Sequence, residues 1–173
     1  PVSIAVTALL ILAPAVVGLV SAMLGLEGVR ESFRRRGDKE HEQAVLRVFV
    51  AALAVAYGFA AAARGDDAGA CQIVAALALA GAWVFLLLTI LDPLPSPLRC
   101  YAAAGFDAAL LAAFLHFGGA LTAPWFPLFL LAAFYAGFRF GSAALIVASA
   151  ANALGFAAVV ATTAFWQQQV LLA

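Results

Sequence analysis

The stretch CQIVAALALAGAWVFLLLTIL, residues 71–91, decides the fold class because it holds 21 residues without one charged side chain. About 20 apolar residues in a helix cross the roughly 30 Å hydrocarbon core of a bilayer. The composition of the whole chain agrees, since 66% of it is hydrophobic, 10% is charged and the mean hydropathy is +1.08. We therefore predict an integral membrane protein with the lipid bilayer as its surroundings.

Apolar runs of this kind recur along the chain and predict an all-α, polytopic transmembrane helix bundle. Six runs cover residues 2–26, 44–63, 71–91, 100–117, 123–138 and 142–166. The apolar residues from Val170 onward are a candidate start of a seventh helix, with the QQQ of residues 167–169 as a loop before it. We expect residues 1–37 to be an additional, retained helix with a basic extension. Residues 38–173 are then the main bundle, which we expect to continue beyond this chain.

The basic residues predict the orientation. Most of them lie between the first two runs, namely Arg30, Arg34, Arg35, Arg36 and Lys39, and Arg47 follows just inside the second run. By the positive-inside rule residues 27–43 are cytoplasmic. The loops at 64–70 and 117–124 then fall outside, and the loop at 92–99 falls inside together with Arg139. The formal net charge of zero gives no reason to expect a nucleic-acid partner.

The segment DKEHEQAVLRV, residues 38–48, has the pattern of a helix start. Asp38 fits the N-cap, where its carboxylate accepts hydrogen bonds from backbone N–H groups. Glu40 and Glu42 fall in the first turn, where carboxylates meet the positive end of the helix dipole. This structural interpretation by itself explains each acid in the segment.

Three polar residues lie inside later apolar runs. Asp107 is two turns into the fourth run, where an ionised carboxylate costs several kcal/mol unless it is paired or protonated. Arg139 either extends to the bilayer surface or reaches toward Asp107. For Asn152 we favour a hydrogen bond between helices over a ligand contact. We expect His116 to be an interfacial residue without a functional role.

These features together resemble a known family. The segment DKEHEQAVLRV, Asp107, the turn GFRFG (137–141) and the FW pair (165–166) occur in similar order and spacing in the membrane sensor of Rpf-type hybrid histidine kinases. Those receptors detect diffusible signal factors, which are cis-2-unsaturated medium-chain fatty acids used in quorum sensing. The resemblance implies the inner membrane of a bacterium as the location, a fatty-acid-like ligand, a homodimer, and a histidine kinase or diguanylate cyclase as the cytoplasmic output. It also implies a sensing segment formed by Asp38, Glu40, His41, Gln43 and Arg47.

The family's sensing segment lies on the outer side of the membrane, whereas the basic residues here place it on the inner side, and we expect the inner side. The sequence has no kinase signature, phosphate-binding glycine loop or metalloprotease motif, so we expect neither a catalytic site nor a cofactor in this chain. Two alternatives to a sensor stay open. One is an accessory subunit of a larger membrane complex, packed through small residues of the fourth run. The other is a small transporter that uses Asp107 for coupling.

Overall fold

The structure is a computed structural model that describes residues 40–92 and 94–171, with no side-chain description for residues 170 and 171. The first apolar run, Asp38 and the basic residues before it lie outside the described residues. The described chain consists of six α-helices and one 3-10 helix: α1 (Glu40–Ala63), α2 (Gly69–Leu91), α3 (Pro97–Gly118), the 3-10 helix Ala123–Trp125, α4 (Leu128–Phe140), α5 (Ser142–Thr162) and α6 (Ala164–Leu171).

These helices confirm the predicted all-α membrane fold. Four of the α-helices, α1, α2, α3 and α5, are individually long and apolar enough to cross a bilayer. The segment Ala123–Phe140, which joins the 3-10 helix to α4, makes a fifth candidate span. The described residues contain no strand. The chain is therefore a multi-pass membrane protein.

The described residues divide into two compact units, one up to residue 95 and the other from residue 96 onward. The first unit is a hairpin of α1 and α2. α1 ends at Ala63, and Gly65 in the turn after it has a positive φ of 89°, which suits glycine. The N–H groups of Gly65 and Asp66 donate to the carbonyls of Ala62 and Ala61 at 3.0 and 3.2 Å. This Schellman-type ending turns the chain back within five residues.

Small residues line the contact between α1 and α2. On α1 a stripe of residues recurs every three or four positions. All of them are buried except Arg47, which is half-buried: Glu40, Ala44, Arg47, Ala51, Ala54, Gly58 and Ala61. Gly58 faces α2, because the side-chain amide of Gln72 donates to its carbonyl at 3.2 Å. A Cβ at Gly58 would lie 3.1 Å from Gln72 Cγ, so the two backbones approach closely at this point. Such spacing is typical of closely packed membrane helices.

The second unit is built around α5. Ala108 of α3 lies beside Gly155 of α5, and the ends of both helices meet near Thr162, so α3 and α5 run parallel. α4 runs antiparallel to α5, since the two are joined by the single residue Gly141 with a φ of 86°. Two buried clusters hold the unit together. One is aromatic and aliphatic, formed by Leu115, Phe129, Val159 and Trp166, and the other consists of Ala133, Ala136, Ala144 and Ala148.

Helix boundaries differ from the hydropathy runs at several places. α1 begins at Glu40 and α3 at Pro97, each a few residues before its apolar run. The fifth run contains a 3-10 helix and a turn before α4 begins at Leu128. The sixth run is interrupted at the extended residue Thr163. The prediction of a loop at QQQ is wrong, because residues 167–169 lie inside α6. That helix begins at Ala164 and also includes Val170.

Candidate functional site

The start of α1 contains the predicted sensing residues that the structure describes. Glu40 is the first helical residue and its side chain is 6% exposed, whereas Glu42 is exposed and His41 and Gln43 are half-buried. Both carboxylates lie in the first turn, as the dipole argument expects. Asp38, the predicted N-cap, lies outside the described residues. The predicted helix start therefore holds for the described part of the segment.

Arg47 lies two turns after Glu40 on the stripe that faces α2. Its guanidinium carbon is 5.2 Å from the centre of the Phe85 ring, a cation–π distance, and its Nη2 atom is buried. Arginine inside a membrane span is costly unless protein groups or water surround it. The cation is consequently placed at the contact between two helices, beside an aromatic face.

Exposed apolar side chains lie on the helix turns next to Arg47 and Phe85. Leu46 and Phe49 of α1 are 41% and 59% exposed, and Val84 and Leu88 flank Phe85 on α2 with comparable exposure. A guanidinium next to exposed aliphatic and aromatic groups can bind an amphiphile that has an anionic head and an apolar tail.

The remaining predicted site residues belong to the second unit. Asp107 is half-buried in α3. The guanidinium carbon of Arg139 lies 5.2 Å from the centre of the Tyr135 ring, one turn earlier on the same helix, and its Nη1 atom is buried. Asn152 is buried, and its Nδ2 donates to the carbonyl of Phe129 at 2.8 Å. This bond links α5 to α4, which is the role favoured for Asn152 from the sequence.

The predicted site residues thus fall into two groups. Glu40, His41, Gln43 and Arg47 share the first two turns of α1, while Asp107, Arg139 and Asn152 lie on three different helices of the second unit. Within the described residues, no three His, Cys, Asp or Glu side chains are arranged to hold a metal ion.

Sequence reasoning missed one polar cluster. His116 Nδ1 lies 2.8 Å from the hydroxyl of Thr163 and 3.0 Å from that of Thr162, and the Trp166 indole donates to the Leu115 carbonyl at 3.4 Å. The sequence clue was the adjacent pair of threonines in an otherwise apolar run. Only the parallel packing of α3 and α5 brings that pair to a histidine 46 and 47 positions away.

The fold and these contacts define a class, a multi-pass helical membrane protein that carries an arginine at a helix–helix contact. No family model, curated protein or solved structure matches the chain.

Proposed function

We infer that this chain is the membrane-embedded sensory domain of a bacterial signalling protein, and that its ligand is a fatty-acid-like amphiphile whose carboxylate binds Arg47. The single observation that carries this inference is the position of the Arg47 guanidinium, between α1 and α2 and over the Phe85 ring. Guanidinium groups bind carboxylates with two parallel, charge-assisted hydrogen bonds. The resemblance of residues 38–48 to a fatty-acid-sensing segment points to the same ligand class.

The ligand's tail has a suitable place along the hairpin. Leu46, Phe49, Val84 and Leu88 are exposed apolar side chains on the helix turns next to Arg47 and Phe85. An acyl chain that enters from the bilayer can lie on them while its carboxylate remains at the guanidinium. Because α1 and α2 contact each other mainly through small residues, a ligand inserted beside Phe85 can shift one helix against the other. We propose that this movement is the signal that the domain passes to a cytoplasmic output. In this proposal the protein is a homodimer in the inner membrane.

The acidic residues at the start of α1 oppose an anion and limit where it binds. Glu40 and Glu42 lie five to seven residues before Arg47, which is about 8–10 Å along the helix axis. A carboxylate held at Arg47 is therefore separated from them by one to two turns, and we place the head group at the guanidinium rather than at the helix N-terminus. Arg139 lies in the other unit and supplies a weaker, secondary candidate cation.

A binding titration tests this proposal. The purified protein in lipid nanodiscs is titrated with a medium-chain cis-2-unsaturated fatty acid, with empty nanodiscs to subtract partitioning into lipid. We expect saturable binding that Arg47→Ala weakens about tenfold or more, which is the loss of one to two charge-assisted hydrogen bonds.

Arg64→Ala is the matched control because it removes the same charge from the exposed loop, where Arg64 pairs with Asp66 at 3.6 Å. The affinity of Arg64→Ala for the fatty acid should equal that of the unmodified protein. Absence of saturable binding to the unmodified protein would overturn the sensory function, and equal weakening by both arginine variants would overturn the Arg47 site.

A further inference from the structure

Phe85 lies at the contact between α1 and α2 that also contains Arg47. The side-chain amide of Gln72 donates to the Gly58 carbonyl at 3.2 Å, which sets the antiparallel register of the two helices. Arg47 lies 11 residues before Gly58 on α1. Phe85 lies 13 residues after Gln72 on α2, so the ring and the guanidinium fall within about 3 Å of one level along the axes. The register of the whole hairpin and the 5.2 Å ring contact therefore agree on this placement.

The turn of α2 that carries the ring is itself fixed by buried groups. Phe85 is half-buried, and the next residue, Leu86, is 7% exposed. One turn further along, the hydroxyl of Thr89 donates to the Phe85 carbonyl at 2.8 Å, and Thr89 is 3% exposed. This side-chain bond is added to the backbone bonding of the helix at the same carbonyl. The ring is consequently presented to α1 from a well-packed position.

A phenyl ring over a guanidinium acts on the cation and on any anion that approaches it. The face of the ring is negative, so it attracts the guanidinium. The same face repels an anion. A carboxylate is therefore kept from the side of the guanidinium that the ring covers, and it reaches the cation along the edges, where the N–H groups point.

We propose that Phe85 is the positioning residue of the Arg47 site. Its ring holds the guanidinium at the α1–α2 contact before any ligand arrives and directs the head group to the N–H edges. This inference rests on the proposed function, because the head group is the carboxylate of the fatty-acid-like ligand. Ordering a long side chain during binding lowers affinity by about two- to tenfold, and a ring that has already ordered Arg47 removes that loss.

Binding of the fatty-acid probe to protein in nanodiscs tests the role of the ring. Phe85→Leu keeps an apolar side chain but removes the ring, and we expect its affinity to fall about two- to tenfold. Phe85→Tyr keeps an aromatic face and should bind like the unmodified protein. Phe59→Leu is the matched control, because it removes a half-buried ring of α1 about 18 Å along the helix from Arg47. Equal weakening by the two leucine variants would overturn the positioning role.

Fluorinated rings separate the electrostatic role of Phe85 from its packing. Phenylalanine analogues with one, two or three ring fluorines nearly keep the shape of the side chain while they withdraw electron density from its face. We expect the affinity for the fatty acid to fall stepwise with the number of fluorines at position 85. The analogues also provide the test if Phe85→Leu does not fold. An affinity independent of fluorine number would overturn the proposal.

NMR of the arginine side chains needs no ligand and completes the test. The ring current of Phe85 should displace the guanidinium signals of Arg47 from those of the exposed Arg64, and Phe85→Leu should remove that displacement. Absence of the displacement in the unmodified protein would overturn the positioning role. Saturable binding with the same affinity in Phe85→Leu would overturn this inference alone, whereas absence of saturable binding to the unmodified protein would overturn the proposed function and this inference with it.

Discussion

At the scale of single residues, α1 buries mostly small side chains, while many large apolar side chains of the described residues are exposed. Alanines and a glycine fill the contact between α1 and α2, while Phe138 is 89% exposed and Leu154 73%. Lipid tails are as apolar as leucine, so burying a large side chain gains little, and close van der Waals contact between backbones stabilises the helices instead. Hydropathy identified the helices but could not predict their buried faces, because both faces of each helix are apolar.

Gly118 provides the sharpest test of this close packing. A Cβ on Gly118 would overlap the side chain of Thr122, which is fully buried and donates to the Phe114 carbonyl at 3.1 Å. We expect Gly118→Ala to destabilise the folded protein by about 1–3 kcal/mol, as overpacking does elsewhere. Unfolding in mixed micelles measures the change.

Gly105 is the matched control on the same helix, since a Cβ there would meet nothing within 4 Å. Gly105→Ala should be neutral or stabilising by up to about 1 kcal/mol, because alanine has the higher helix propensity. Equal stabilities of the two variants would contradict the packing described at Gly118.

Arg47 shows how far the sequence predicts a site residue. Its place in the second turn of a helix followed from the helix-start pattern of residues 38–43. Its contact with Phe85 did not, because that contact depends on how α1 and α2 are rotated against each other. The cluster of His116 with Thr162 and Thr163 was missed for the same reason, since it requires the parallel packing of two helices that are far apart in sequence.

At the scale of elements, the five candidate spans of the described residues and their helical type followed from hydropathy, whereas helix ends followed from capping. α3 begins at Pro97 because Ser96 accepts a hydrogen bond from the Arg99 N–H at 3.3 Å and proline suits the first helical position. A span predicted only from apolar residues therefore starts a few residues after the true beginning of the helix at such a cap. The break at Thr163 has no comparable local signal, and its hydroxyl instead contacts His116 from another helix.

Asn152 tests what holds α4 to α5. Its side chain is buried and donates to the Phe129 carbonyl at 2.8 Å, so we expect Asn152→Ala to cost about 0.6–1.7 kcal/mol, the range for hydrogen bonds between membrane helices. Ser149→Ala, at an exposed position of the same helix, should change stability little. Unchanged stability of Asn152→Ala together with loss of fatty-acid binding would favour a ligand role over a structural one.

At the scale of the whole molecule, the multi-pass architecture followed from composition, and the orientation remains a prediction from charge. The α1–α2 hairpin places the start of α1 and the loop after Ala63 at opposite ends of the first unit. Since the basic residues cluster before α1, we expect the start of α1 at the cytoplasmic side and the loop outside.

Cysteine labelling checks this orientation in intact cells. In a background with Cys71→Ala and Cys100→Ala, we expect an impermeant thiol reagent to label Asp67→Cys, which is exposed in the loop, but not Gly37→Cys. Permeabilised cells should show labelling of both and provide the control for accessibility. Labelling of Gly37→Cys in intact cells would reverse the orientation and place the start of α1 at the outer side.

The central claim, a fatty-acid carboxylate held at Arg47, is tested most directly by photo-crosslinking. A medium-chain fatty acid with a photoreactive group near its carboxylate is irradiated with the protein in nanodiscs, and the modified residues are mapped by mass spectrometry. The account predicts modification concentrated on α1 and α2 around Arg47 and Phe85, suppressed by excess unmodified fatty acid and lost in Arg47→Ala but not in Arg64→Ala. Modification spread evenly over lipid-facing residues of both units, and unaffected by the competitor, would contradict it.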